Sequence, residues 1–183
     1  MTVSKRRAPA WLVLTIIALA AGLILAFTYE LTKDRIAQTE LETLAQARRQ
    51  VLAQADSFEE IDCPDGFESV YRGMKDGECA GYVLSATYNG YSSPMLLTLG
   101  VDMNGMITGL NVGGSGFAET AGLGAKAKDP AFMEQFAGKT GEVVLNGKDD
   151  NGVDAISGAT VTSTGVVNGV NELYAYAVKL INE

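Results

Sequence analysis

Hydrophobic positions along this chain follow three different periods in turn. Residues 10–29, AWLVLTIIALAAGLILAFTY, carry no charge at all. Twenty helical residues reach roughly 30 Å, the thickness of a bilayer's hydrocarbon core. Trp11 and Tyr29 lie at the two ends of the run, where amphipathic rings favour the interface. From 30 to 56 there is neither Gly nor Pro, and Leu31, Ile36, Leu41, Leu44, Val51 and Leu52 recur among charges at helical spacing. This predicts a juxtamembrane helix over 30–62, ended by CPDG at 63–66.

The period then shortens to two. FESVYRG and GYVLSATYN flank Asp76-Gly77, and SPMLLTLGVD and MITGLNVG flank Asn104-Gly105. Both read as β-hairpins, the second as a two-residue type I′ turn with positive φ at both central residues. GEVVLNG, 141–147, reads as a further strand. PAFMEQFA, 130–137, reads as a short helix with Pro in its first turn. Helical spacing returns at the end. Val166, Val167, Val170, Leu173, Tyr174, Ala177, Val178 and Ile181 make one apolar face, so a final helix is expected from about Ser163 to Ile181. The predicted fold class is α+β, with a single N-terminal transmembrane helix followed by one mixed, mainly antiparallel sheet domain with flanking helices. The predicted segments are a basic tail at 1–9, the membrane helix at 10–29, the juxtamembrane helix at 30–62 and the domain at 63–183.

Charge orients the anchor. Lys5, Arg6 and Arg7 give the tail +3, and with a net charge of −8 for the whole chain the remainder carries −11. Positive flanks stay inside, so the tail is expected in the cytoplasm and the body outside the plasma (inner) membrane. The apolar run is long for a cleaved leader and lacks a clear small-residue cleavage site. An acidic body argues against nucleic acid as a partner. Between Trp11 and Tyr29 the run holds no polar side chain beyond Thr15 and Thr28, too little to conduct an ion, so ion movement would belong to partner subunits.

Composition also limits the chemistry. Histidine is absent, which excludes histidine-dependent triads and imidazole metal ligands. The two cysteines, Cys63 and Cys79, are too few for a thiolate cluster, and spacing alone leaves open whether they pair. No metal site is expected, and redox work would need an organic cofactor.

One stretch concentrates hydroxyls and glycines before the last helix: DAISGATVTSTG, 154–165. A helix N-terminus offers unpaired N–H groups and partial positive charge, a good seat for a phosphate. The same composition also suits an ordinary N-cap at Thr162 or Ser163.

DAISGAT resembles the flavinylation motif of the FMN-binding domain family, which ends in the modified threonine. ETAGLG at 119–124, followed by FMEQFAGK, is similar to a second segment of that family, and the resemblance covers roughly residues 80–170. It implies covalent FMN joined to Thr160 through a phosphoester, installed by a separate flavin transferase that uses FAD. It implies that Ser157 and Gly158 shape the attachment turn and that Glu119, Thr120, Leu123 and Gly124 line the flavin; Gly158 and Ala159 leave the approach open to a bulky donor, and Asp154 is a candidate to orient the loop or help a modifying enzyme hold a metal. The single anchor and outward domain are most similar to the G subunits of Rnf-type complexes, with the C subunits of Na⁺-translocating NADH:quinone reductases as near relatives. The expected function is electron transfer in an ion-translocating ferredoxin:NAD⁺ oxidoreductase complex, with the other membrane subunits as partners. The alternatives are a stand-alone extracytoplasmic FMN carrier and a non-catalytic anchored binding module.

Two positions depart from the family. Ala121 stands where Pro is common, and Phe117 where His is common. Phe117 is a candidate to pack near the flavin ring. Lys126, Lys128 and Lys139 are candidates to stabilise a reduced flavin, and Tyr88 and Tyr91 to stack on it; each also has a plain reading as surface or packing.

Overall fold

A computed structural model describes residues 9–183; positions 1–8 of the expected basic tail lie outside the described residues. The chain divides into two compact units, 1–42 and 43–183.

Helix α1, Ala10–Val51, begins in the first unit and ends in the second. Among the described residues it is the one helix long and apolar enough to cross a membrane. Its two threonines in the apolar run are satisfied within the helix: the Thr15 hydroxyl donates to the Trp11 carbonyl at 2.9 Å and that of Thr28 to Ile24 at 2.8 Å. Neither threonine hydroxyl is left seeking a partner, which suits a segment surrounded by lipid.

The second unit is built on a five-stranded antiparallel sheet in sequential order: β1 Ser57–Ile61, β2 Ser69–Lys75, β3 Glu78–Asn89, β4 Pro94–Asp102 and β5 Ile107–Gly113. The expected helix over 30–62 is thus corrected. It stops at Val51, and 57–61 is an edge strand paired to β2. Ser57–Ile61 buries little, so its strand character comes from the β2 ladder rather than from its own pattern.

Both hairpins form, but the type I′ turn expected at Asn104-Gly105 is found at Asp76-Gly77 instead. Positive φ at both central residues occurs at Asp76 (51°) and Gly77 (86°), the type I′ arrangement. At the β4–β5 hairpin only Gly105 is left-handed, at 74°. There the Asp102 carboxylate accepts from Asn104 N at 2.9 Å and Met106 N at 2.8 Å, and Gly105 N donates to the Asp102 carbonyl at 3.0 Å. The side chain thereby stabilises a three-residue loop ending in a bulge.

After β5 the chain makes a 3-10 turn, Gly124–Lys128, then α2, Pro130–Met133, with a second 3-10 turn, Glu134–Phe136. The strand expected at 141–147 shrinks to β6, Val144–Leu145, which pairs in parallel with β7, Gly152–Val153, outside the main sheet. Helix α3, Thr160–Ile181, starts three residues before the expected Ser163.

The sheet has helices against both faces. One face meets α3 through Leu84, Leu97, Leu99, Val166, Val170 and Leu173, all fully buried. The other receives the end of α1, where Val51 and Leu52 pack on Val83. Gly100 and Gly109, register partners on β4 and β5, make that approach possible. A Cβ on Gly109 would stand 3.0 Å from Val51 Cα, and one on Gly100 would collide with the Val51 carbonyl. The Thr108 hydroxyl donates to that same carbonyl.

Both cysteines are free. Cys79 sits beside the β2–β3 turn, opposite Met74, whereas Cys63 follows Ile61, whose partner Val70 pairs with Leu84. The row of Ile61 lies four to five strand positions from that of Cys79, roughly 13–16 Å, far beyond the ~7 Å that a disulfide spans between Cα atoms.

Candidate functional site

Two stretches far apart in sequence meet at the start of α3. Residues Tyr91, Glu119, Thr120, Leu123, Gly124, Gly158, Ala159, Thr160, Val161 and Thr162 line one cleft of about 400 Å³. It therefore holds three of the five residues expected around the attachment turn and all four expected along the flavin.

The turn that presents Thr160 is set by Gly158, whose φ of +76° a side chain would oppose. Ala159 N donates to the Ile156 carbonyl at 2.9 Å, and the helix starts at once. Thr160 is its first residue, and the N-cap position, Ala159, offers no side-chain cap. The expected cap at Thr162 or Ser163 is not found. Both are fully buried and engaged elsewhere: Thr162 Oγ1 donates to Glu119 Oε2 at 3.2 Å, and Ser163 Oγ accepts from Ile156 N at 2.9 Å while donating to the Ala159 carbonyl. Thr160 is exposed, and its hydroxyl has no partner among the described residues. The first-turn N–H groups likewise have no acceptor within the helix.

Glu119 holds the cleft together. Its Oε1 accepts from Ser92 N at 2.9 Å and Ser93 N at 3.2 Å, while Oε2 takes the Thr162 hydroxyl. One carboxylate thus ties the β3–β4 loop, its own loop and the first turn of α3. Burial alone would push its pKa up, but hydrogen bonds from Ser92, Ser93, Thr162 and Tyr91 outweigh that and hold it below the ordinary value. Gly124 passes so close that a Cβ would strike Glu119 Oε2 and stand 2.8 Å from Thr162 Oγ1. Ser92 and Ser93 were not singled out by sequence; the only signal was a hydroxyl pair in a hairpin loop.

The rim is apolar and open. Tyr91 is 74% exposed, Val161 56% and Leu123 43%. Exposed side chains of this kind beside a free hydroxyl and unpaired helix N–H groups suit a ligand with a flat aromatic part and a phosphate.

Other sequence candidates lie elsewhere. Asp154 and Ser157 are exposed and do not line the cleft; Asp154 contributes a backbone N–H to Gln135 Oε1 at 2.7 Å. Tyr88 packs toward α3, its pKa raised by burial and then by Glu172, whose carboxylate it hydrogen-bonds. Phe117 packs against the core with Lys128 Nζ 4.2 Å above its ring. Lys139 donates to the Asp150 and Gly152 carbonyls at 2.7 and 2.8 Å, fastening the β6–β7 loop. Lys126 is exposed and away from the cleft. Among the described residues no group of acids and cysteines is arranged to hold a metal.

Comparison with known proteins places this geometry in context. Residues 90–175 match the FMN-binding domain and residues 12–51 the RnfG N-terminal region. The chain is 34% identical to the G subunit of the Na⁺-translocating ferredoxin:NAD⁺ oxidoreductase complex of Acetobacterium woodii, covering 87% of this chain and 86% of that protein. It is 30% identical to the G subunit of the proton-translocating ferredoxin:NAD⁺ oxidoreductase complex of Clostridium ljungdahlii, covering 87% and 85%. With the G subunit of the ion-translocating oxidoreductase complex of Methanosarcina acetivorans it shares 31% identity, covering 96% and 97%. Among solved structures, the C subunit of the Na⁺-translocating NADH-quinone reductase of Parabacteroides distasonis superposes with a TM-score of 0.52 at 29% identity, over 64% of this chain and 63% of that one. A chain with this sheet, this cleft and these relatives belongs to the RnfG family, the G subunits of ion-translocating oxidoreductase complexes.

Proposed function

We propose that this chain is a membrane-anchored electron-transfer subunit of an Rnf-type ferredoxin:NAD⁺ oxidoreductase complex, carrying FMN bound covalently through a phosphoester to Thr160. Residues 10–29 form the single anchor, the basic tail stays in the cytoplasm, and the domain works on the outer face. Na⁺ or H⁺ passes through other membrane subunits, since between the interfacial Trp11 and Tyr29 the polar side chains are two threonines bonded to their own helix.

One observation carries the reading. Of the hydroxyls clustered before and within the first turn of α3, Thr162 and Ser163 are buried and hydrogen-bonded, whereas Thr160 opens onto the cleft with its oxygen free. A flavin transferase would join that oxygen to the FMN phosphorus of FAD, with AMP leaving and the hydroxyl proton passing to solvent. The unpaired amides at the start of α3 then face the resulting diester anion. Tyr91, Leu123 and Val161 offer apolar surface to the ring system. When bound, the flavin supplies the electron chemistry; the chain positions it, and the covalent link keeps it from being lost to an aqueous compartment.

The test is the denatured mass of the full chain, made in cells with and without a flavin transferase. Wild-type protein should gain one FMN only with the transferase. Thr160→Val should gain none, while Thr162→Val should keep it. Attachment in Thr160→Val, or its loss in Thr162→Val, would refute the assignment.

A further inference from the structure

The cleft beside Thr160 has a one-sided charge. Glu119 is the one carboxylate lining it, and no lysine or arginine does. The ion pairs among the described residues, Lys33–Glu30 and Lys179–Glu183, lie elsewhere. Lys128 sits over Phe117 and Lys139 is spent on backbone carbonyls. The groups that hold Glu119 are amides and hydroxyls. These satisfy its lone pairs and fix its place, but none brings a positive charge to cancel the negative one.

Resting on the reading of a flavin tethered at Thr160, we propose that the fixed negative charge of Glu119 lowers that flavin's reduction potential. Reduction takes two electrons from a reduced electron-carrier protein and one proton from water, and leaves the ring net negative at neutral pH and above. A like charge in the wall of the same cleft opposes that gain. The exposed apolar side chains of Tyr91, Leu123 and Val161 would exclude water once covered by the ring, and the repulsion is then screened less than in bulk solvent. A lysine-lined cleft would act in the reverse sense. Glu119 is thus a bracket by its hydrogen bonds and a potential-setting residue by its charge.

Glu119→Gln separates the two roles. The amide oxygen still accepts from Ser92 and Ser93, and the amide nitrogen donates to Thr162 Oγ1, whose oxygen also accepts; only the charge goes. The full chain, flavinylated in cells and purified in detergent, is titrated spectroelectrochemically at pH 8. Sulfite, which forms an anionic adduct with oxidised flavin, gives a second reading. Glu119→Gln should shift the midpoint potential positive and bind sulfite several-fold tighter than wild type. Glu142→Gln, which removes an exposed carboxylate that does not line the cleft, should match wild type in both. An unchanged or more negative potential in Glu119→Gln overturns the proposal. If that variant does not accumulate with flavin, Thr120→Lys adds a cation to the same wall and leaves the bracket intact; a positive shift supports the proposal and no shift overturns it. The tether is scored separately, by the denatured mass of Thr160→Val. If that variant keeps covalent flavin, the attachment reading falls whichever way the potentials move.

Discussion

The two ends of α3 are held by different physics. From Val166 onward the helix is held by volume: Val166, Val170, Leu173 and Ala177 are fully buried against the sheet. Polar contacts there are spacers, as where the Tyr174 hydroxyl accepts from Gly141 N and donates to the Gly105 carbonyl, both at 2.8 Å. At the first turn almost nothing apolar is buried. Order comes from Glu119, Thr162 and Ser163, and Thr160 and Val161 are left open. With the proposed tether at Thr160, one helix would separate stability from chemistry along its length, its first residue being exposed and outside the packing.

That contrast can be broken in graded steps of stability. Leu173→Ala empties a fully buried site and should cost about 3 kcal/mol in denaturant unfolding. A cost under 1 kcal/mol would mean that the far end of the helix is not held by packing. Tyr174→Phe strands the Gly141 N–H and the Gly105 carbonyl and should cost about 1–2 kcal/mol. Glu119→Gln should cost most stability near neutrality and least in acid. The folded pKa of Glu119 is depressed, so its contribution is complete above the ordinary value near 4.5 and fades as pH falls through the lower folded value. The variant's acid-unfolding profile should therefore be flatter than wild type below about pH 4.5; parallel profiles would count against the bracket. Thr160→Val should alter stability by no more than about 0.5 kcal/mol while removing all covalent flavin. A large stability loss there would join what the two ends keep apart.

Much of this arrangement is legible in the residues. The alternation in 81–89 and 95–101 marks the central strands because one face of each is fully apolar. The apolar spacing of 166–181 marks α3 for the same reason. The start of α3 is not legible, because the cap rule looks for a hydroxyl that serves the helix. Here the hydroxyls at Thr162 and Ser163 serve Glu119 and Ile156 N instead. Strand β1 is hidden because an edge strand needs only a ladder partner. The turn at Asn104-Gly105 misleads because Asp102, two residues earlier, stabilises a different geometry. Seven of the cleft's ten wall residues lie in the two motifs, but the motifs do not show that Glu119 faces Ser92 and Ser93, a contact spanning 26–27 residues.

The glycine pair that admits Val51 has a consequence for the order of assembly. Val51 rests on Gly100 and Gly109, and the Thr108 bond to its carbonyl spans 57 residues. The long helix is complete early in synthesis, but its seat does not exist until β4 and β5 have been made and zipped together. Because long-range contacts of this sort form late, seating of the helix end should be among the final folding events. Until then the newborn chain has its buried anchor in place and an unfinished sheet trailing behind it.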